Sequence, residues 1–152
     1  MRQVNIDRVA ITWGEGNTCG GLAVILKEQN GDRSVPIWYG WAEGQALLFG
    51  LQGLRLQRPM THDLLDTIIR EMGGKVEGVV VSALEENVFH GTLRIAIGEK
   101  TMEVDCRPSD GIALAARSSS PLYVDESVLD AAGKKDLTKF GPFSMIWPVV
   151  ER

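Results

Sequence analysis

The sequence predicts an α+β fold. N-terminal strands and a three-stranded meander form mixed or antiparallel sheets, packed with three to four helices in a single domain. Three observations lead there. Val4, Ile6, Val9 and Ile11 alternate with polar residues, as half-buried strands do. Residues 42–56 and 61–72 instead carry apolar residues at helical spacing. From Val76 onward, turn signals cut an apolar stretch into short segments, the mark of a meander.

In chain order, Met1 to Thr12 reads as the first strand and Gly21 to Gln29 as the second. The run Leu22-Ala-Val-Ile-Leu26 is apolar throughout, so the second strand is central or buried on both faces. Asn30-Gly-Asp32 is a turn, and Val35-Pro-Ile-Trp-Tyr39 resumes an extended path. Pro36 donates no ladder hydrogen bond, which suits an edge or a strand start. Ala42 to Leu56 predicts a helix weakened by Gly50 and Gly53, each costing about 1 kcal/mol relative to alanine. Pro59 breaks the chain and Thr61 is expected to cap the next helix. That helix is expected to bury Leu64, Leu65, Ile68, Ile69 and Met72, with Asp66 and Arg70 on its outer side.

Gly73-Gly74 stops it, and the meander follows: Val76 to Leu84, a turn at Glu85-Glu-Asn87, then Val88 to Ile97. Gly98-Glu99 as a two-residue hairpin loop sets Ile97 opposite Lys100, Ile95 opposite Met102, Arg94 opposite Glu103 and Thr92 opposite Asp105. Pro108 or Ser109 opens a third helix, Pro121 to Val124 is a short strand, and Glu126 to Ala132 is a short helix stopped by Gly133. The predicted organisation is a domain over 1–133 and an apolar tail over 134–152. The tail's Phe140, Phe143, Met145, Ile146, Trp147 and Val149 are expected to dock on the domain itself or on a neighbouring subunit.

At 152 residues, 44% hydrophobic and 24% charged, the chain has the composition of a soluble globular protein. No apolar run is long enough to span a bilayer, and the polar start lacks a signal-peptide core, so a cytoplasmic location without membrane contact is expected. Cys19 and Cys106 have neither a disulfide framework nor metal-ligand spacing, and Cys106 is expected in the core. The net charge of −4 argues against nucleic-acid attraction by bulk charge. Any such contact is local and weak, or built by oligomerisation. Walker loops, GxSxG, HExxH and zinc knuckles are all absent.

Two phrases concentrate chemistry at helix entrances: Arg58-Pro-Met-Thr-His-Asp-Leu-Leu65 and Asp105-Cys-Arg-Pro-Ser-Asp110. Helix entrances gather unpaired N–H groups and positive dipole, which suit phosphate. His62 is a candidate general acid or base, with Asp63 or Asp66 setting its protonation; equally, Thr61 caps, Asp63 is a dipole-friendly acid and His62 is only solvated. Asp105 and Asp110 flank a strand-to-helix turn where two carboxylates can share a divalent metal, with Arg107 clamping a phosphate. The competing reading is a structural Arg–Asp network holding the turn. Glu43 offers a further acid or simply matches the dipole at the start of its helix. Trp13, Trp38, Trp41 and Trp147 can stack bases, but scattered tryptophans more often anchor cores and interfaces.

These phrases, with Pro36-Ile-Trp-Tyr-Gly40, Glu43, Gly111-Ile-Ala-Leu-Ala115, Pro121-Leu-Tyr-Val124 and Val128-Leu129, resemble the bifunctional nuclease (BFN) domain family in order and spacing over roughly the first 130 residues. The resemblance implies an α+β domain that forms homodimers or larger homo-oligomers and carries a nuclease activity on RNA and DNA. The matching polar positions are Glu43, Arg58, Thr61, His62, Asp63, Asp105, Arg107, Ser109 and Asp110. Cys106 stands where alanine is usual, Gly111 replaces a better helix former, and the tail after Gly133 has no counterpart.

Two functions of different class follow. In a phosphodiesterase, His62, Asp63, Arg107 and Asp110 are catalytic, and Arg58, Thr61 and Ser109 bind substrate. Asp105 and Asp110, with Glu43 or Asp63, hold Mg²⁺ or Mn²⁺. In a non-catalytic oligomeric module that binds a protein or small ligand, the same groups are supports.

Overall fold

The computed structural model describes residues 1–13, 19–135, 137 and 143–148, with backbone alone at 11–13, 19–20 and 143–148. The strands are β1 (Arg2–Trp13), β2 (Cys19–Glu28), β3 (Ser34–Tyr39), β4 (Gly74–Glu85), β5 (Val88–Ile97), β6 (Lys100–Cys106), β7 (Leu122–Val124) and β8 (Phe143–Pro148). The helices are α1 (Trp41–Gln52), α2 (Thr61–Glu71), α3 (Pro108–Ser118) and α4 (Glu126–Ala132). The expected α+β class holds, with all described strands in one mixed sheet ordered β3-β2-β1-β7-β4-β5-β6 and β8 also paired with β1. Short β7 joins the two halves, antiparallel to β1 and parallel to β4.

The local chemistry explains most of this. Leu22 to Leu26 are all buried: Leu22, Val24 and Leu26 enter the main core, while Ala23 and Ile25 pack with Leu137 in a second cluster. Pro36 lies in β3, at the sheet's edge, where a missing N–H is tolerated. Glu86 and Asn87 both adopt positive φ, the requirement of a two-residue hairpin turn. The β5–β6 register places Ile97 opposite Lys100, Arg94 opposite Glu103 and Thr92 opposite Asp105, as the Gly98-Glu99 loop predicts. α1 ends at Gln52, earlier than expected, because Gly53 turns left-handed at φ 64°. In the tail, Lys134 bridges to Ser34, and β8 runs antiparallel along β1 from Arg8 to Thr12. Phe140 and Val149 lie outside the described residues.

α3 is the central helix. It contacts α1, α2 and β4, and its Pro108, Ser109 and Gly111 to Ala115 are buried. Gly111 is required by proximity: a Cβ there would stand 2.7 Å from Val79 Cγ1 and 3.1 Å from Cys106 Sγ. Gly111→Ala therefore overpacks the α3–β4 contact, outweighing alanine's better helix propensity, and should cost about 1–3 kcal/mol by urea denaturation. An unchanged midpoint would show that the contact has slack. Burial, with the Asp105 and Asp110 charges, pushes the Cys106 thiol up to about 11, so it stays protonated as a core residue.

α2 differs from expectation. Its buried residues are His62, Asp66 and Ile69, while Leu64, Leu65, Ile68 and Met72 are exposed, Met72 at 69%. The amphipathic stripe exists, but all of it except Ile69 faces solvent, because α2 docks on α3 and β4 through the side that carries His62, Asp66 and Ile69. Asp66 is accordingly inside, held by Arg70. Thr61 is the first helical residue rather than the cap; Met60 takes the cap position, and Asp63 accepts its N–H at 2.9 Å. Trp38 and Trp41 are more than half exposed and belong to no core.

Candidate functional site

Three segments meet beside the α3 entrance. β3 delivers Tyr39, the first turn of α1 delivers Glu43, the first turn of α2 delivers His62, and the α3 entrance supplies Arg107 and Asp110. Arg107 is the N-cap residue of α3 and Pro108 follows at the first helical position, which aims the Arg107 side chain outward while Asp110 turns back beside it.

The geometry is close. His62 Nε2 lies 3.2 Å from Asp110 Oδ1. An ionised carboxylate only accepts, so Nε2 carries the hydrogen, and in the neutral ring Nδ1 is the lone-pair nitrogen. Arg107 donates from Nε to Asp110 Oδ2 at 2.6 Å and from Nη2 to Oδ1 at 3.1 Å, a two-point clamp. The same Nη2 reaches Glu43 Oε1 at 2.9 Å. The Arg107 side chain is 65% exposed, whereas His62 is only 8% exposed. The cluster thus has a wet cationic rim and a buried imidazole behind it. Hydrogen bonding to Asp110, then the Asp110 and Glu43 charges, raise the Arg107 pKa further, so its charge is permanent. The Tyr39 hydroxyl is buried without a hydrogen-bond partner among the described residues. Its pKa is well above the usual value through burial first, then the charges of Asp110 and Glu43. Sequence reasoning missed Tyr39; its only signal is the strand end directly before Gly40.

The structure thus gathers Glu43, His62, Arg107 and Asp110. It sends Asp63 elsewhere. That carboxylate accepts from Arg117 Nε at 2.6 Å and from the Met60 N–H, knitting α2 to α3. Burial raises the Asp63 pKa, but the bonds to Arg117 and Met60 and the charges of Arg117 and Arg55 outweigh it and hold it below the usual value. Arg58 and Thr61 are exposed, Ser109 is buried in the α3 entrance, and Asp105 is exposed on the edge strand β6. Arg117 was invisible as a site residue because it follows a run of small residues like any helix-ending cation.

The expected metal set of Asp105, Asp110 and Glu43 does not fit a metal as placed. Among the described residues no three His, Cys, Asp or Glu side chains gather as a metal-binding group. Asp110 and Glu43 do approach one another, but the cation between them is the Arg107 guanidinium.

The family model for the bifunctional nuclease domain matches residues 24–136, and the chain belongs to this family. It is 40% identical over 110 residues to an uncharacterised protein of Mycobacterium tuberculosis, covering 72% of this chain and 65% of that protein. It is 29% identical over 117 residues to bifunctional nuclease 1 of Oryza sativa and to a bifunctional nuclease of Oryza minuta, covering 74% of this chain and 35% of each. The chain therefore spans about two thirds of the bacterial relative and about a third of the rice proteins. No helix among the described residues is long and apolar enough to cross a membrane.

Proposed function

We propose that this chain is a cytoplasmic nuclease that hydrolyses phosphodiester bonds in RNA or DNA. One observation carries the reading: an Asp110-oriented His62 stands directly behind the exposed Arg107. A phosphate oxygen taken by Arg107 Nη1, the guanidinium nitrogen that bonds neither Asp110 nor Glu43, would bring the scissile bond near an imidazole whose tautomer Asp110 fixes. His62 Nδ1 then takes a proton from the attacking hydroxyl or water and later returns it to the leaving oxygen. Arg107 holds the charge that develops on the phosphoryl oxygens. Glu43 keeps the guanidinium in register, and the exposed Arg58 and Thr61 are the substrate-binding candidates that solvent leaves open, whereas Ser109 is buried.

In the cluster two carboxylates, Glu43 and Asp110, face the single guanidinium of Arg107. Affinity for nucleic acid should therefore be weak. The test is cleavage of labelled single-stranded RNA and DNA by contaminant-free protein in EDTA, Mg²⁺ and Mn²⁺. Cleavage in at least one condition is expected, and that condition reads the ion requirement. No cleavage in any of them overturns the proposal.

The outward apolar face of α2 favours a second reading, a homo-oligomeric module without catalysis. Four large apolar side chains on one helix face are an unusual exposure for a monomer. On this reading the face meets its copy in a homodimer or larger assembly. The unmodified protein should run as a dimer or larger in light scattering, and Leu65→Glu with Ile68→Glu should leave a folded monomer. A monomeric unmodified protein would remove this reading.

A further inference from the structure

A concavity that no residue of the His62 cluster lines runs along α2 past Asp63, Asp66, Thr67 and Arg70. It is a cleft of about 250 Å³ between the end of α1, the α1–α2 connection, α2 and the end of α3. Phe49, Leu54, Leu56 and Pro59 give it apolar walls. Arg55, Arg70 and Arg117 enter it from three different segments, together with Asp63 and Asp66.

The charges do not cancel. Arg117 is committed to Asp63 and Arg70 to Asp66. Three guanidinium groups against two carboxylates leave one net positive charge, and the uncommitted group is Arg55. Among the described residues Arg55 makes no ion pair, although its charge is felt at Asp63. A second observation is independent of that count. The Arg117 side chain is only 7% exposed, and its Nη2 has no hydrogen-bond partner among the described residues. A buried guanidinium N–H without an acceptor is uncommon; it has no surface open to the cleft, so Arg117 walls the site and Arg55 is the guanidinium that a ligand there can reach.

We infer that this cleft binds a phosphate monoester carrying a flat ring, that is, a single nucleotide unit, with the phosphate at the Arg55 end and the ring on the Leu54–Leu56 wall. Arginine forks suit phosphate oxygens, and the apolar walls suit a ring face. The volume lies below the roughly 300 Å³ at which drug-sized pockets begin, so one unit fits and a duplex does not. The unit is either a free nucleotide or the phosphorylated end of a strand; the chemistry is shared. The inference does not depend on hydrolysis at His62, because binding is read without cleavage.

Calorimetric titration of the full chain with AMP, adenosine and inorganic phosphate tests it. AMP should bind at least tenfold more tightly than adenosine or phosphate alone. Arg55→Gln should weaken AMP about tenfold, leave adenosine unchanged and leave the melting temperature unchanged; Asp110→Asn should leave AMP binding unchanged. An oligonucleotide with a 5′-phosphate, compared with its 5′-hydroxyl twin and with AMP, separates strand end from free nucleotide. Equal binding of AMP and adenosine, no AMP binding, or AMP binding indifferent to Arg55→Gln would each overturn the assignment. If AMP binds as expected while no nucleic acid is cut, this site stands and the nuclease proposal falls.

Discussion

Asp110→Asn will lower nucleic-acid cleavage by about 10²–10⁴-fold, the usual worth of a positioned acid–base group. The reason is the number of jobs that one carboxylate performs. Asp110 accepts from His62 at 3.2 Å and from Arg107 at 2.6 and 3.1 Å. An amide has one accepting oxygen and no charge, so at least one of those donors loses its partner and its NH₂ group faces another donor. The imidazole loses its fixed tautomer and the guanidinium loses its clamp. Stability should change little, because Asp110 is partly exposed and its remaining duty at the first turn of α3 is worth about 0.3–1 kcal/mol. Cleavage rate and melting temperature measured on the same preparation separate the two effects. A fully active Asp110→Asn would mean that the cluster is only a brace. Arg107→Lys adds a second reading, since it keeps the charge but loses the planar fork.

Arg117→Ala will be the most destabilising single change at this end of the molecule, by about 3–5 kcal/mol if it behaves as a broken buried ion pair. Arg117 donates to Asp63 Oδ1 at 2.6 Å and to the Ala46 carbonyl at 2.6 Å, with a longer bond to the Ala113 carbonyl at 3.3 Å. It thereby ties α1, α2 and α3 through one side chain. Its removal leaves Asp63 largely desolvated without its cation and takes a donor from each of two carbonyls. The lower end of the range is expected, since Asp63 keeps the Met60 N–H and some contact with water. Urea denaturation should show a lower midpoint, and Asp63→Asn should cost much less in the Arg117→Ala background than in the unmodified protein. A loss below about 1 kcal/mol would contradict the bracing role assigned here.

Much of the fold is legible in the sequence, where local chemistry decides. The Gly98-Glu99 loop sets the β5–β6 register, Pro36 marks an edge, and the Leu22 to Leu26 run marks a strand covered on both faces. These are short-range rules, and nothing distant opposes them. α2 shows the limit. Its apolar spacing is real, and periodicity alone predicts an inward stripe. Yet His62 and Asp63 each have a partner on α3, which turns the polar side toward the domain and the leucines outward. A one-dimensional pattern says that a helix has two faces and cannot say which face a distant pair of charges will claim.

The candidate site was legible in the same uneven way. His62, Arg107, Asp110 and Glu43 stand out as polar residues at helix entrances, and they do meet. Asp63 looks identical to them in sequence but serves α2 and Arg117. Asp105 looks like a partner of Asp110, but β6 ends between them and the chain changes direction. Tyr39 and Arg117 carry little sequence signal of their own, because their importance comes from burial; the Arg117 partners Asp63 and Ala46 lie 54 and 71 positions away.

The most direct test of the nuclease proposal is the single-turnover cleavage rate of one labelled single-stranded RNA by the unmodified protein and by His62→Gln, under the ion condition in which the unmodified protein is most active. His62→Gln should cleave at least a hundredfold more slowly while still folded, as its melting transition shows. Equal rates in two equally folded proteins would contradict the proposal.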